Sequence, residues 1–273
     1  MEGLEATIRA SIRAIILEQA ATARGIYLAT GSLAAAESAV ETVGREDWPG
    51  VIQPYWRRVM RIFGELFFQD LTGTLQPGRS ILPTSFSLIG RANPFETVLP
   101  TATFFSIFSM SVEEFIIAET ATYIQDVDNT TKAGVRRAVE TGMAEGMNTA
   151  GIAARIYDFV GGPAGEIAAF RSDRIARTET GMAANYACFS GAESTGLRMT
   201  KMWNAVNDMR TRKTHAAANG QRVGMKEYFL VGGAHLMYPQ DPSPTVPARE
   251  RINCRCVLNY EVDQSEFTKK GWF

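Results

Sequence analysis

The chain has 273 residues, 45% of them hydrophobic and 21% charged, with 28 basic residues against 29 acidic ones and a formal charge of -1. That balance excludes a global attraction to nucleic acid, so any such contact has to come from a local patch. The length is enough to bury a good core and to hold two structural units.

Leu4, Ile8, Ile12 and Ile15 recur at helical spacing, and no proline interrupts the stretch to about Ala29. This predicts a long amphipathic opening helix that breaks at Thr30-Gly31-Ser32. The opening residues Met1-Glu2-Gly3-Leu4-Glu5 lack the basic flank and apolar run of an export signal. A second helix is predicted from Leu33 to Val43, followed by a turn at Asp47-Trp48-Pro49-Gly50. A third has Pro54 in its first turn and Tyr55, Val59, Ile62, Phe63, Leu66 and Phe67 along one side. Over 72–100 the composition shifts to Gly, Pro, Ser and Thr without periodicity. A stretch that long reads as an extended arm or partner-binding loop, with a plain surface loop equally consistent. The most apolar run, Val98 to Met110, is broken by Pro100 and is too short for a bilayer, so no membrane partner is expected.

Ser111 to Glu114 has capping-box spacing and opens a helix carrying Phe115, Ile116 and Ile117 towards Ile124; Asp126-Val127-Asp128-Asn129 then ends it. The main boundary is placed there, giving a helical N-terminal region (1–128), a second domain (129–262) and a tail (263–273). Further helices are expected from Thr131 to Met147, from a cap at Asn148 to Val160, and from about Ser172 with Ile175, Met182, Tyr186 and Phe189 on one face. A loop follows from Gly191 to Gly196. Beyond residue 198 short segments take over: a strand at Arg198–Asn204, a short helix capped by Asp208, small strands or a hairpin across Gln221–Ala234, and a last strand from Cys254 to Tyr260. The fold class is therefore α+β, a mainly helical N-terminal region followed by a small domain with short antiparallel strands.

Chemistry-bearing residue types concentrate in this last part. Positions 208, 212 and 215 are spaced four and three apart, which on one helix places Asp208, Arg212 and His215 along a single stripe. Cys188, Cys254 and Cys256 form an odd set with one residue between the last two. A bridge across that gap is strained, which suits a reducing cytosol or an assembled particle better than a secreted disulfide scaffold. On a strand, Cys254 and Cys256 point to one face and Arg255 to the other. Two thiols with His215 or His235 offer the sulfur and nitrogen donors zinc prefers, although zinc sites usually put two to four residues between paired cysteines. Buried small thiols packing a sheet are the commoner reading, and a cysteine nucleophile beside either histidine is a third, without a recognisable oxyanion or phosphate loop to support it. Between Arg171 and Lys213, eight basic residues face four acidic ones. Arg171, Arg174, Arg198, Lys201 and Lys213 are the candidates for non-specific contact with DNA phosphates, against the usual explanation of a solvated, salt-bridged face.

An ordered series across about 130–260 carries a family resemblance: Ile175-Ala176-Arg177-Thr178-Glu179, Trp203, Asp208-x-Arg210-x-Arg212-x-x-His215, Asn219-Gly220, Phe229, Pro239-x-Asp241-Pro242 and Asn253-Cys254-Arg255-Cys256. In order and spacing it resembles the Mu F-type minor head proteins of tailed bacteriophages, also called head morphogenesis proteins. The resemblance implies a minor virion component at the portal vertex, assembled in the host bacterial cytoplasm. Its implied partners are the portal protein, major capsid or internal head proteins, and phage DNA bound without sequence preference during packaging or ejection. It brings no cofactor and no catalytic residue. The motif positions are then expected to be structural: Asp208 capping, Arg210 and Arg212 bridging loops, His215 orienting one of them, and Asn253 and Arg255 fixing the returning chain.

Overall fold

The computed structural model describes residues 2–74, 101–162, 165–263 and 265. Most of the arm or loop expected over 72–100, and most of the tail expected over 263–273, lies outside the described residues. The helices come first: α1 (Glu2–Thr30), α2 (Leu33–Thr74), α3 (Thr101–Ala144), α4 (Thr149–Val160) and α5 (Glu166–Ser194). Short elements follow: β1 (Met199–Asn204), α6 (Lys213–Ala218), β2 (Arg222–Gly224), β3 (Phe229–Val231), β4 (Ala234–Leu236), α7 (Ala248–Arg251) and β5 (Val257–Val262). The fold is α+β in the expected order, with all strand pairs antiparallel. Its residues group into two compact units, 1–55 with 116–177 and 56–115 with 178–273, each discontinuous in sequence because α2, α3 and α5 contribute to both.

In the first unit, α1 buries Ile8, Ile12, Ile15, Ile16, Ala20 and Ala23 along one stripe, and packs against α4, which buries Ile152, Ile156 and Val160. The cap at Asn148 forms as its residue type predicts, accepting from the Gly151 N–H at 2.8 Å. Two expected breaks do not form. The turn at 47–50 is absent, and α2 continues through Pro49 and Pro54. Burying an aromatic the size of Trp48 is worth about 4–6 kcal/mol at roughly 25 cal/mol per Å², against about 3 kcal/mol for a proline inside a helix. Trp48 is fully buried, with Ile52 one turn on. Likewise α3 runs uninterrupted through 126–129, where the helix and the N-terminal region were expected to end. Asp128 is buried there and accepts from Gln19 Nε2 (2.6 Å) and Trp48 Nε1 (3.2 Å), while Thr131 donates to Gln19 Oε1 and receives Arg171 Nη2 (2.9 Å). Polar residues that look like a stop signal in one dimension are a satisfied internal network in three.

The second unit holds the strands. β1 is central in the sheet β2-β1-β5, with Trp203 opposite Leu258 and Lys201 opposite Tyr260. Its alternation buries Met199, Lys201 and Trp203 on one face. β3 and β4 pair through the two-residue turn Gly232-Gly233, both with positive φ (59° and 84°), the geometry of a type I′ hairpin. Phe229, Val231 and Leu236 from this hairpin join Trp203, Leu258 and Tyr260, together with Phe67 and Phe189, in one core. α5 extends to Ser194, so the loop expected from Gly191 is helical for four of its residues; a Cβ at Gly191 would stand 3.0 Å from the Phe67 ring.

Candidate functional site

Cys254 and Cys256 sit just before β5 rather than on it, after Asn253 turns the chain with φ 59° and donates its N–H to Thr178 Oγ1 at 2.9 Å. Their carbonyls are fixed by a buried amide pair. Gln240 Nε2 donates to the Cys254 carbonyl (3.0 Å) and Asn185 Nδ2 to the Cys256 carbonyl (3.2 Å), and Asn185 also donates to Gln240 Oε1. A Cβ at Gly181 would lie 2.2 Å from that Gln240 oxygen, so the glycine makes room for the pair.

Facing the thiols is His215, 2% exposed on α6. Its Nδ1 is 3.4 Å from both Cys254 Sγ and Cys256 Sγ, and its Nε2 is 3.2 Å from Glu250 Oε2. The same carboxylate oxygen accepts from Thr214 Oγ1 at 2.9 Å. Trp203 meets the imidazole edge-on at 5.7 Å. The cysteines are free thiols with opposed acidities. Cys254 is held below the ordinary thiol range, first by a hydrogen bond with Cys256 and then by His215; Cys256 is pushed up by its bond to Cys254 and by burial.

Around this buried set lies an open cleft lined by Arg210, Thr211, Arg212, Asn253, Arg255 and Val206. The expected stripe of Asp208, Arg212 and His215 does not form, since α6 begins only at Lys213 and Arg212 is its N-cap residue. Asp208 closes a turn instead of capping the helix. It accepts from the Arg210 N–H and Thr211 Oγ1, and pairs with both guanidinium ends of Arg255 at 2.6 and 2.5 Å. The Arg255 guanidinium, ahead of these turn bonds, holds the Asp208 carboxyl far below the usual carboxylate range. Arg212 Nη2 donates to the Ile252 carbonyl (2.6 Å), the Arg210 side chain is exposed, and the ring nitrogens of His215 face Cys254, Cys256 and Glu250.

The remaining predicted positions separate from this cluster. Arg177 pairs with Glu5 at 3.6 Å, Glu179 is buried, and His235 is exposed on β4 beside Tyr228. Among the DNA-contact candidates, Lys201 is completely buried, its Nζ on the Met237 carbonyl and over the Phe189 and Phe229 rings, and Arg171 is bonded inside the first unit. Lys201 is therefore closed to a phosphate, and Arg171 is half-buried. Arg174, Arg198 and Lys213 are exposed, Arg198 beside Asp263 at 3.7 Å. Glu250, Asn185 and Gln240 were missed in the sequence; a carboxylate four residues before Cys254 was the one local signal for Glu250.

Residues 133–259 match the family described as Phage Mu protein F like protein. The chain carries a Mu F-like segment. It contains the whole His215–Cys254–Cys256 cluster, three positions of the motif series that carried the resemblance, and also Asn185, Gln240 and Glu250, which that series does not include. Curated relatives include an NAD(+)--arginine ADP-ribosyltransferase of Enterococcus faecalis, 32% identical over 126 residues (45% of this chain, 24% of that protein). Minor head protein GP7 of Bacillus phage SPP1 is 36% identical over 69 residues (24% and 21%), and the uncharacterized protein YqbB of Bacillus subtilis is 39% identical over 54 residues (19% and 17%). The matches thus span no more than about a quarter of those relatives' own lengths. No solved structure matches the chain.

Proposed function

We propose that the chain is a minor structural and assembly component of a tailed-phage head, held in few copies at the portal vertex and acting in head morphogenesis. The observation that carries this reading is the Mu F-like match over 133–259, supported by the likeness to a phage minor head protein. The reading assigns the chain no catalysis. The transferase's name describes that protein, and the match covers 24% of it. The portal protein is the proposed partner, with major capsid and internal head proteins as further contacts. A membrane has no place in this scheme, and among the described residues no helix is long and apolar enough to cross one.

Co-expression with the portal protein of the same phage, followed by size-exclusion chromatography, tests the docking. The two chains should elute together in a complex larger than either. Separate elution of two folded proteins contradicts portal association and leaves membership of the head to be judged on the particle itself.

A further inference from the structure

The geometry points to a transition-metal site in the second unit, with zinc bound by His215 Nδ1, Cys254 Sγ and Cys256 Sγ and the fourth coordination position facing the cleft. This does not rest on the head-assembly reading. The three donor atoms are buried and lie within 4.8 Å of one another. Zinc bonds of about 2.3 Å to sulfur and 2.0–2.1 Å to nitrogen, at the tetrahedral angle, put sulfur and nitrogen roughly 3.5 Å apart. Both observed separations are 3.4 Å.

The surroundings suit a metal better than the alternatives. Glu250, 3% exposed and held by Thr214, stands 3.2 Å from His215 Nε2; with the Nε2–H donated to this carboxylate, the Nδ1 lone pair is left for the metal. A carboxylate behind the ligating imidazole is the usual support of a metal-bound histidine. A Cβ on Gly232 would stand 2.5 Å from Glu250 Oε1, so the hairpin turn itself makes space for this carboxylate. Trp203 Nε1 is buried without a hydrogen-bond partner, and its ring stands edge-on to the His215 imidazole at 5.7 Å, so the indole N–H lies beside the donor set. Thiolate and imidazole together select zinc over magnesium or calcium. A nucleophilic cysteine needs one sulfur at the imidazole, and the second at the same distance would then be idle. The one-residue spacing, unusual for zinc, is accommodated by the turn at Asn253 and by Arg255 reaching away to Asp208. Three protein donors and a cleft describe an open site, whose last ligand is water or a small anion drawn by Arg210 and Arg212.

The full chain, purified under reducing conditions and dialysed against metal-free buffer, should retain about one zinc per molecule by elemental analysis. Cobalt added to the stripped protein should give the visible bands of a tetrahedral ion together with thiolate-to-metal charge transfer. Cys256→Ser should lose that charge transfer or weaken it sharply. Glu250→Gln, which keeps the shape of the supporting group, should weaken zinc about 10- to 100-fold in competition with a chromogenic chelator. If Cys256→Ser fails to fold, the wild-type cobalt spectrum decides alone. Zinc below about a tenth of an equivalent, with no cobalt–thiolate absorption from the reduced wild-type protein, overturns the site.

Discussion

Lys201 is a cation inside a hydrophobic core, and burial pulls its pKa down to about 8 from 10.5. Between those values the unfolded chain binds a proton that the folded chain does not, so stability rises with pH across that window. Urea unfolding at about pH 7 and about pH 10 should show this gain in the wild type and a smaller one in Lys201→Met, which removes the buried charge. Equal gains in the two proteins would rule out Lys201 as the source. Asp208 is the opposite case, an exposed carboxylate whose two-point bond to Arg255 is screened by solvent. Asp208→Ala should leave the thermal midpoint nearly unchanged, and a loss as large as that of a core truncation would contradict this. His215, Cys254 and Cys256 stand out in the sequence because the chain has only two histidines and three cysteines, and Arg255 is noticed only because it lies between the paired cysteines. Asn185, Gln240 and Glu250 do not stand out, because what they hold are carbonyls and a ring nitrogen brought close only by the fold.

At the scale of elements, α2 and α3 show where local signals lose to packing. A proline and an Asp-x-Asp-Asn run both argue for breaks, yet Trp48 buries its ring edge-on to Tyr123 and gives its indole N–H to Asp128. Burial pushes the Asp128 carboxyl up, with the bonds from Gln19 and Trp48 working against that shift. Trp48→Phe keeps most of the ring but removes one donor, and should cost about 1–3 kcal/mol in a urea denaturation series. No loss would mean that the buried network does not hold the helices through these sites. The strands were easier to read from sequence. Short apolar runs located β1, and the segment expected to hold small strands, Gln221–Ala234, contains β2 and β3, whereas β4 (Ala234–Leu236) falls almost wholly beyond it. The Asp208 cap was misplaced for a local reason, since a turn takes up 208–211 before α6 starts.

For the whole molecule, α3 passes through residue 128 without a break. The two compact units each draw on both halves of the sequence, and the Mu F-like segment contributes to each. The residues before 133 lie outside the Mu F-like match and carry helices without a recognised motif. The most direct measurement is quantitative mass spectrometry of purified, nuclease-treated virions of the tailed phage proposed to carry this chain. A minor head component should be present in intact heads at a small fraction of the major capsid protein and should stay with them through density-gradient purification. Its absence from heads, with the portal protein detected in the same sample, would contradict the proposed role.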